Sequence, residues 1–389
     1  MKQKIKKSLV ITGGGTGGHI YPGIAVADKI REIAKDKNLD LDIYWIGNKL
    51  GMDKTIVEKN LISQGGSINS FFGIPSGKLR RYFSFKNFID LFKIIAGFFS
   101  AVHILRKIKP VCLFSKGGFV SVPPCAAAKL LKIPYFTHEC DFTPGLATKL
   151  NSSGAKNIFL SYSDTKKYFN EILQKKCIVT GNPVRPVFYN VSDEAGRKFL
   201  NLTKENQKPI LLVLGGSLGA LQINNLVIQN LDWLKERFIV VHQTGSAFSK
   251  SNPEIMQSAD DSYKPYDFIY EQMPSVIKCA DLVLSRSGAN SLWECATLEK
   301  PMILVPLCGN GSRGDQVDNA NYFKEKNAAL VLLGKDADGE HLKSAMEIML
   351  DKNERNKFSA NCKKICANQI PVQKIAELIL GEFDESSNH

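Results

Sequence analysis

The same local pattern occurs twice in this chain of 389 residues: a short apolar run, a cluster of glycines, and then a segment with helical apolar spacing. It occurs first at Ser8–Thr12 followed by Gly13–Gly18, and again at Pro209–Leu214 followed by Gly215–Ala220. Uninterrupted apolar runs are typical of buried strands in parallel sheets, and glycines directly after them predict a tight turn into a helix. The sequence therefore predicts an α/β protein built from two doubly wound, Rossmann-like domains.

Two prolines in Gly181–Pro186 interrupt regular structure between the two patterns and mark the predicted join. We expect an N-terminal domain over 1–184 and a second domain that begins at 185. Two such domains facing each other across a cleft would bind ligands at the carboxyl ends of the strands of both.

The net charge of +13 favours an anionic partner, which could be nucleic acid, nucleotide phosphate or an acidic membrane surface. No recognised nucleic-acid motif is present, so nucleic acid is the weakest of the three. The nine cysteines are scattered and odd in number, which is typical of reduced thiols in the cytosol.

The three glycine loops each follow a predicted strand. Gly13–Gly18 matches the dinucleotide pattern, but the next strand ends at Ile46-Gly47-Asn48 without the carboxylate that would bind a ribose, which disfavours NAD. A third loop, Ser285–Ser291, opens a helix that carries Glu294, a candidate ribose ligand. Tight turns alone would explain one such loop; three at strand ends favour phosphate binding.

Two positions are candidates for acid–base chemistry. His19 directly follows the first glycine loop, where an imidazole could deprotonate a sugar hydroxyl, cap the helix or contact phosphate. Glu139, with His138, follows the predicted strand Pro134–Thr137 and is the second candidate. The two Asp-x-Asp pairs, at Asp40 and Asp336, lie in predicted turns, so the sequence predicts neither a metal nor another cofactor.

Ordered motifs across about 300 residues closely resemble the MurG family of UDP-N-acetylglucosamine transferases in peptidoglycan synthesis. The motifs are Thr12–Pro22, Ile46-Gly47, Gly51-Met52, Pro75–Arg81, Ser115–Ser121, His138-Glu139, Thr143–Leu146, Gly181–Arg185, Gly215–Ala220, Arg286–Ala289, Glu294 and Gly314–Gln316.

The resemblance implies the GT-B fold, with a final helix at about 361–380 returning to the N-terminal domain, the second domain ending at 360, and a polar tail over 381–389. It implies an inverting, metal-independent transfer of GlcNAc from UDP-GlcNAc to the MurNAc 4-hydroxyl of lipid I, giving lipid II. The implied setting is cell-wall biogenesis during growth and division, with cell-wall synthesis proteins as candidate partners.

The resemblance also implies site roles by position. Thr16, Gly17 and Gly18 would line the donor cleft, with His19 as the proposed base and Glu139 as the alternative. The other implied contacts are Arg185 and Ser217 with the nucleotide, Tyr270 with the uracil, Gly288, Ala289, Asn290, Ser291, Leu292 and Trp293 with the diphosphate, Glu294 with the ribose, and Gln316 with the GlcNAc hydroxyls. Many members read His-Glu-Gln-Asn where this chain has His138-Glu-Cys-Asp141, so Asp141 retains an acceptor oxygen but lacks the amide donors.

A basic and apolar segment predicts peripheral binding to the anionic cytoplasmic leaflet of the cell membrane. Within 74–86, basic side chains alternate with apolar ones, and the predicted patch comprises Ile74, Leu79, Arg80, Arg81, Phe83 and Phe85. The family also associates with membrane through this region, and a solvated loop is the alternative that composition alone leaves open. The more hydrophobic stretch Phe88–Ile108 contains Asp90, Lys93, His103 and Arg106, so we expect an amphipathic helix that faces a core.

Three rival functions remain open from the sequence. A UDP-GlcNAc 2-epimerase shares the two-domain fold and the nucleotide sugar but needs no lipid, and the membrane segment argues against it. Another lipid glycosyltransferase, acting on diacylglycerol, would share the membrane segment but not Gly13–Pro22 in this form. A non-catalytic binding protein would retain the nucleotide loops with His19 and Glu139 inert.

Overall fold

The computed structural model describes residues 7–78, 85–203, 208–215, 220–309, 313–366 and 370–385. These residues form two compact units, Met1–Arg185 with Gln369–His389, and Pro186–Asn368. Each unit contains one parallel sheet with helices on both faces, which is the predicted α/β class.

The first unit contains a parallel sheet of seven strands in the order β3-β2-β1-β4-β5-β6-β7. The strands are β1 (Lys7–Thr12), β2 (Leu41–Asn48), β3 (Ser70–Ile74), β4 (Cys112–Ser115), β5 (Tyr135–Glu139), β6 (Asn157–Leu160) and β7 (Cys177–Val179). The helices are α1 (Gly17–Asp36), α2 (Met52–Glu58), α3 (Phe85–Ile108), α4 (Val122–Leu130), α5 (Leu146–Ser152) and α6 (Glu171–Gln174).

Alternate residues of β1 enter two different cores, because successive side chains of a strand point to opposite faces. Leu9 and Ile11 pack in the core that also contains helix α1, whereas Val10 packs in the core that contains helix α3. Both faces of this strand are therefore buried, which explains its uninterrupted apolar sequence.

The second unit contains a parallel sheet of six strands in the order β10-β9-β8-β11-β12-β13. Its strands are β8 (Ile210–Leu214), β9 (Ile239–Gln243), β10 (Tyr263–Tyr266), β11 (Leu282–Ser285), β12 (Met302–Leu304) and β13 (Ala329–Val331). Its helices are α7 (Asp193–Phe199), α8 (Leu221–Gln229), α9 (Leu231–Arg237), α10 (Ser246–Ser251), α11 (Pro253–Gln257), α12 (Met273–Cys279), α13 (Ala289–Thr297), α14 (Asp315–Glu325), α15 (Gly339–Leu350) and α16 (Lys352–Cys366).

The last helix, α17 (Pro371–Glu385), belongs to the first unit. Ile375 and Ile379 are buried in the same core as helix α1, and Lys374 Nζ donates to the Val179 carbonyl at 2.9 Å. The helix continues to Glu385, so the proposed polar tail from 381 begins too early.

The segment proposed to return to the first unit, 361–380, also begins too early. Helix α16, which ends at Cys366, groups with the second unit, because Cys362 is buried there and its Sγ lies 3.3 Å from the Lys300 carbonyl. The second unit therefore extends beyond the proposed end at 360, and Arg185 is the last residue of the first unit before the chain enters the second.

Helix α3 corrects the expectation of a helix that faces a core along its length. Its C-terminal half is packed, with Ala101, Val102 and Leu105 buried against the sheet. Its N-terminal half instead exposes large apolar side chains: Phe88, Ile89, Leu91, Phe92, Ile95 and Phe99. Within the described part of the chain, Phe88–Ile108 is the one helix long and apolar enough to cross a membrane, with a mean hydropathy of 1.8.

Candidate nucleotide-sugar and acceptor site

The first group of candidate residues lies at the carboxyl ends of β1, β4 and β5, which are adjacent in the first sheet. From β1 the next strands, β2 and β3, are added on one side of the sheet, and from β4 the next strands are added on the other side. The carboxyl ends of β1 and β4 therefore form the topological switch point, where ligands of open α/β sheets bind. Thr16 is exposed and is the N-cap of α1, Gly17 and Gly18 begin that helix, and His19 lies in its first turn.

His19 packs against the glycine turn that follows β4. A Cβ placed on Gly118 would lie 2.8 Å from His19 Cδ2, and one on Gly117 would lie 3.7 Å from its Nδ1 and Cε1. Gly117 has a φ of +93° and Gly118 a φ of +79°, so these glycines supply the backbone conformation as well as the space. The second glycine pair therefore positions the imidazole.

Asp53 holds the first glycine loop and was missed by the sequence analysis. Its carboxylate accepts the Gly15 N–H through Oδ1 at 2.9 Å and the Asn48 N–H through Oδ2 at 3.0 Å. The side chain is buried, and that burial raises its pKa, opposed by the two hydrogen bonds. Asp53 thereby ties the loop after β1 to the end of β2.

Asn151 on helix α5 holds the glycine turn after β4 through hydrogen bonds. Its amide Nδ2 donates to Ser121 Oγ at 2.8 Å and to Ser115 Oγ at 3.3 Å. Ser115 Oγ also accepts the Gly117 N–H at 3.2 Å. This buried network links α5, β4 and the start of α4, and it leaves Gly117 and Gly118 in one defined conformation.

Glu139 is the last residue of β5 rather than the first residue after a strand. Its two carboxylate oxygens accept the backbone N–H of Asp141 at 3.0 Å and of Gly145 at 2.9 Å. The carboxyl group is buried, which raises its pKa, and the nearby charge of Asp141 raises it further. Glu139 therefore organises the loop over 140–145, while Asp141 is only half-buried.

His138 and Lys116 are both buried beside His19. His138 Nε2 lies 3.0 Å from the Gly181 carbonyl; since a carbonyl only accepts, Nε2 carries the proton. Desolvation and then the charges of Lys116 and His19 hold the pKa of His138 well below its usual value. This ring is neutral in the folded chain.

Glu139, Cys140 and Asp141 bring potential metal-ligating atoms within 4.8 Å of one another. Both Glu139 oxygens already accept backbone N–H groups, and burial raises the pKa of that carboxyl rather than favouring its charged form. The cluster is therefore better explained as the organiser of its own loop than as a cation site.

The second group lies at the β8–β11 switch point of the second sheet, where Ser285–Gly288 turns into helix α13. Ser287 Oγ donates to the Gln316 carbonyl at 2.7 Å, and Asn319 Nδ2 donates to the Ser287 carbonyl at 3.2 Å. Arg286 donates from Nη1 to Gln222 Oε1 and to the Val305 carbonyl, each at 2.9 Å. Helix α14 therefore holds the turn through hydrogen bonds of Gln316 and Asn319 to Ser287. Asn319 and Arg286 are further positioning residues.

The predicted diphosphate segment divides into two sets of side chains. Ala289, Leu292 and Trp293 are buried on the inner face of α13, so their side chains support the core and do not face a ligand. Gly288 is the N-cap, where backbone N–H groups and the helix dipole favour an anion. Asn290, Ser291 and Glu294 are half-buried. In this segment the accessible groups are therefore the N-cap glycine and those three side chains.

The remaining predicted contacts occupy different places. Gln316 is half-buried, and its Oε1 accepts the Leu307 N–H at 3.0 Å, so the side chain also holds the loop after β12. Tyr270 is 72% exposed beyond β10, with its ring 4.6 Å from that of Phe268. Arg185 is half-buried at the end of the first unit. Ser217 lies outside the described residues.

Of the predicted membrane patch, Ile74 is buried at the end of β3 and does not contact lipid in this conformation. Leu79, Arg80, Arg81, Phe83 and the Phe85 side chain lie outside the described part of the structure. The neighbouring loop packs closely on α3, since Cβ atoms on Gly77 and Gly97 would collide with the Asp90 and Pro75 carbonyls respectively. This loop therefore packs on the buried side of α3 that carries Asp90 and Gly97.

Two Rossmann-like units, each with a glycine turn at its switch point, form the GT-B fold, and the matches to glycosyltransferase family 28 make the chain a glycosyltransferase of that fold. The family model described as "Glycosyltransferase family 28 N-terminal domain" matches residues 9–160, and the one described as "Glycosyltransferase family 28 C-terminal domain" matches residues 210–379. The second match spans α17 as well, although that helix packs in the first unit.

Curated relatives narrow the class. A Treponema denticola protein is 48% identical and aligns over 97% of this chain and 98% of its own length. A Clostridium tetani protein is 38% identical over 92% of this chain and 94% of its own. Both are named UDP-N-acetylglucosamine–N-acetylmuramyl-(pentapeptide) pyrophosphoryl-undecaprenol N-acetylglucosamine transferase. The chain belongs to this family, the MurG family.

Solved structures support the fold. Acinetobacter baumannii MurG is similar with a TM-score of 0.73 and 22% identity, over 96% of this chain and 99% of that one. A UDP-GlcNAc 2-epimerase from Neisseria meningitidis, bound to UDP-GlcNAc, has a TM-score of 0.62 and 13% identity, over 97% and 100%. Likeness at these identities concerns the fold alone, and it explains why an epimerase was a reasonable rival.

Proposed function

We propose that this chain transfers GlcNAc from UDP-GlcNAc to the MurNAc 4-hydroxyl of lipid I, with inversion at the anomeric carbon. The observation that carries the proposal is the 48% identity over 97% of the chain to a transferase of that name. The two glycine-lined switch points support it, because the reaction needs a site for a nucleotide diphosphate and a site for a second substrate.

In the proposed reaction the acceptor oxygen bonds to the anomeric carbon while the carbon–oxygen bond to UDP breaks. The acceptor proton passes to His19, whose ring is fixed against Gly117 and Gly118. Glu139 is the poorer base, because both of its oxygens accept backbone N–H groups of its own loop. We therefore assign Glu139 the positioning role and His19 the base.

The second unit binds the donor in this proposal. Backbone N–H groups at Gly288 and the first turn of α13 would stabilise the diphosphate, including the negative charge that develops as UDP departs. Glu294 would bind the ribose, Gln316 the sugar hydroxyls, and Tyr270 and Arg185 the nucleotide. Gln316 is favourably placed, since its own carbonyl accepts from Ser287 in the diphosphate turn.

The test is transfer of radiolabelled GlcNAc from UDP-GlcNAc to a short-chain lipid I analogue, with and without EDTA. Labelled lipid II formed in EDTA supports the metal-independent reaction. His19→Ala should abolish the label while UDP-GlcNAc still binds. Unlabelled lipid in the presence of bound donor refutes the acceptor assignment, and formation of UDP-ManNAc would indicate the epimerase instead.

We further propose that the chain acts at the cytoplasmic face of the membrane through the exposed apolar face of α3. Phe88, Phe92 and Phe99 are each at least 58% exposed, and Phe88 and Phe92 contact each other with ring centroids 5.0 Å apart. Exposing several large apolar side chains on one helix half is unusual for a surface in contact only with water. The basic segment that precedes α3 would add attraction to anionic lipid, about 1 kcal/mol per basic residue.

The matching experiment is flotation with anionic liposomes. Phe92→Ser with Phe99→Ser should reduce the floated fraction severalfold, and Leu79→Ser with Phe83→Ser and Phe85→Ser tests the adjoining segment. Ile172→Ser is the matched control, because Ile172 is an equally exposed apolar residue, 72% exposed, on α6 rather than on α3. Equal flotation of wild type and the α3 variant would remove α3 from the membrane proposal.

A further inference from the structure

Lys116 is an unusual residue for its position. It directly follows β4, its side chain is 0% exposed, and its Nζ is buried without a hydrogen-bond partner among the described residues. A buried ammonium normally pairs with a carboxylate or a set of carbonyls, because desolvation without such compensation is costly. Nothing in the proposed reaction so far uses this residue.

The surroundings of Lys116 are basic rather than acidic. A Cβ on Gly13 would lie 3.1 Å from Lys116 Cβ and 3.3 Å from the His19 carbonyl, so Lys116 packs directly beneath the loop that leads to His19. The charge of Lys116 also acts on the neighbouring His138 ring, where it opposes protonation. Three basic side chains therefore share one small, largely dry region.

The acidic side chains that border this region are engaged elsewhere. Asp53, on α2, accepts the Gly15 and Asn48 N–H groups on the far side of the glycine loop. Glu139, on β5, accepts from Asp141 and Gly145 in the following loop, and Asp141 is half-buried beside it. Neither Asp53 nor Glu139 has a hydrogen bond or ion pair to Lys116 among the described residues.

We propose that Lys116 is an electrostatic positioning residue, whose buried positive charge keeps the imidazole of His19 neutral and so ready to accept the acceptor proton. This inference rests on the proposed role of His19 as the base. An imidazolium has no lone pair for the hydroxyl proton, and a second positive charge in a region of low dielectric disfavours its formation. Lys116 need not touch substrate to have this effect.

The direct test is a pH titration of the histidine rings by NMR, on the full-length protein without substrate. In the wild type the His19 ring should titrate below the usual range of a histidine. In Lys116→Met its midpoint should rise by about one pH unit, as removal of a nearby like charge predicts. His242, buried in the second unit, should not move in the variant, and Lys175→Met, an exposed lysine of the first unit, should move neither ring.

A kinetic arm separates tuning from a structural role. The acidic limb of the kcat/KM profile should move about one pH unit upward in Lys116→Met, while the high-pH plateau is retained. A uniform loss of activity across the pH range, without a displaced limb, would overturn the proposal. So would a wild-type His19 that titrates at or above the usual value, a reading that needs no variant and so survives if Lys116→Met fails to fold.

The two arms also separate this inference from the transfer reaction. If no lipid I is glycosylated by any form of the protein, but the His19 midpoint rises in Lys116→Met, the role of Lys116 stands and the assigned reaction is wrong. If transfer proceeds and the midpoint is unchanged, the reaction stands and the role of Lys116 is refuted.

Discussion

Replacing Asp53 by Asn should disable the first unit while leaving donor binding in the second unit unchanged. The carboxylate accepts two backbone N–H groups, at 2.9 Å and 3.0 Å, in a buried position. Asn has one oxygen and one NH₂ group, so its oxygen can accept one of the two backbone N–H groups. Its NH₂ group then faces the other N–H, and two donors cannot form a hydrogen bond. The loop of Gly13–Gly15 would then shift away from Asn48 or from α2.

The magnitude follows from the number and kind of bonds. A hydrogen bond to a charged acceptor contributes about 1.5–3 kcal/mol, and a buried donor without an acceptor costs about 1–3 kcal/mol. Desolvation of the buried Asp53 carboxylate, which raises its pKa, offsets part of this stabilisation. We therefore expect Asp53→Asn to lower the free energy of unfolding by about 2 kcal/mol. A displacement of the His19 loop by about 1 Å would reduce turnover by about 100-fold.

The assay combines thermal unfolding, UDP-GlcNAc affinity by calorimetry, and transfer kinetics with the lipid I analogue. Asp53→Glu keeps both acceptor oxygens on a longer side chain and is the matched control, which should recover part of the activity. Wild-type turnover in Asp53→Asn would refute the positioning role. An equal loss of UDP-GlcNAc affinity would refute the separation of function between the units.

Three further outcomes are expected. Gly118→Ala brings a Cβ against the Gly14 carbonyl and to 2.8 Å from His19, at a φ of +79°, so turnover should fall at least tenfold. Gly65→Ala, with a φ of +81° and open space, should lose only the roughly 1 kcal/mol of backbone strain, and equal turnover losses in the two variants would refute the close packing of Gly118 on the His19 loop. Asn319→Ala removes the donor to the Ser287 carbonyl and should weaken UDP affinity about tenfold by calorimetry, whereas an unchanged affinity would separate α14 from the donor turn. The pKa of His138 is held well below its usual value, so on acidification the unfolded chain takes up a proton before the folded chain does. As the pH is lowered below 6.5, the free energy of unfolding should therefore decrease by up to about 1.4 kcal/mol per pH unit. Denaturant unfolding at pH 7 and pH 5 should show a smaller decrease in His138→Gln than in the wild type, and an identical decrease would refute the neutral ring.

The strands and glycine turns could be predicted from the sequence because their causes are local. The predicted runs Ser8–Thr12 and Pro209–Leu214 form β1 and β8, each with a start that differs by one residue. Apolar runs form buried parallel strands, and glycine favours the positive φ found at Gly15 and Gly117. The family resemblance then supplied the reaction and the candidate residues, which local patterns alone left open.

The helix boundaries were less predictable. Helix α1 begins at Gly17, inside the glycine cluster Gly13–Gly18 that predicted only a turn, because the N-cap at Thr16 sets the first turn. Helix α3 was expected to face a core throughout, yet its first half is exposed. Apolar spacing reveals which residues share a face, but what covers that face depends on the neighbouring elements.

The sequence by itself determined the two α/β units, their glycine loops and the family, since these depend on short segments and on ordered motifs. Only the tertiary structure decided which side chains control those loops. Asp53 meets Gly15 from 38 residues away, and Lys116 is buried beside His19 through strand order rather than sequence spacing. In the tertiary structure Glu139 also accepts a hydrogen bond from Gly145 in the loop that follows it, and Trp293 is buried. The physical reason is that hydrogen bonds and burial join residues distant in the chain, so a residue's type gives its chemistry but the fold selects its partner.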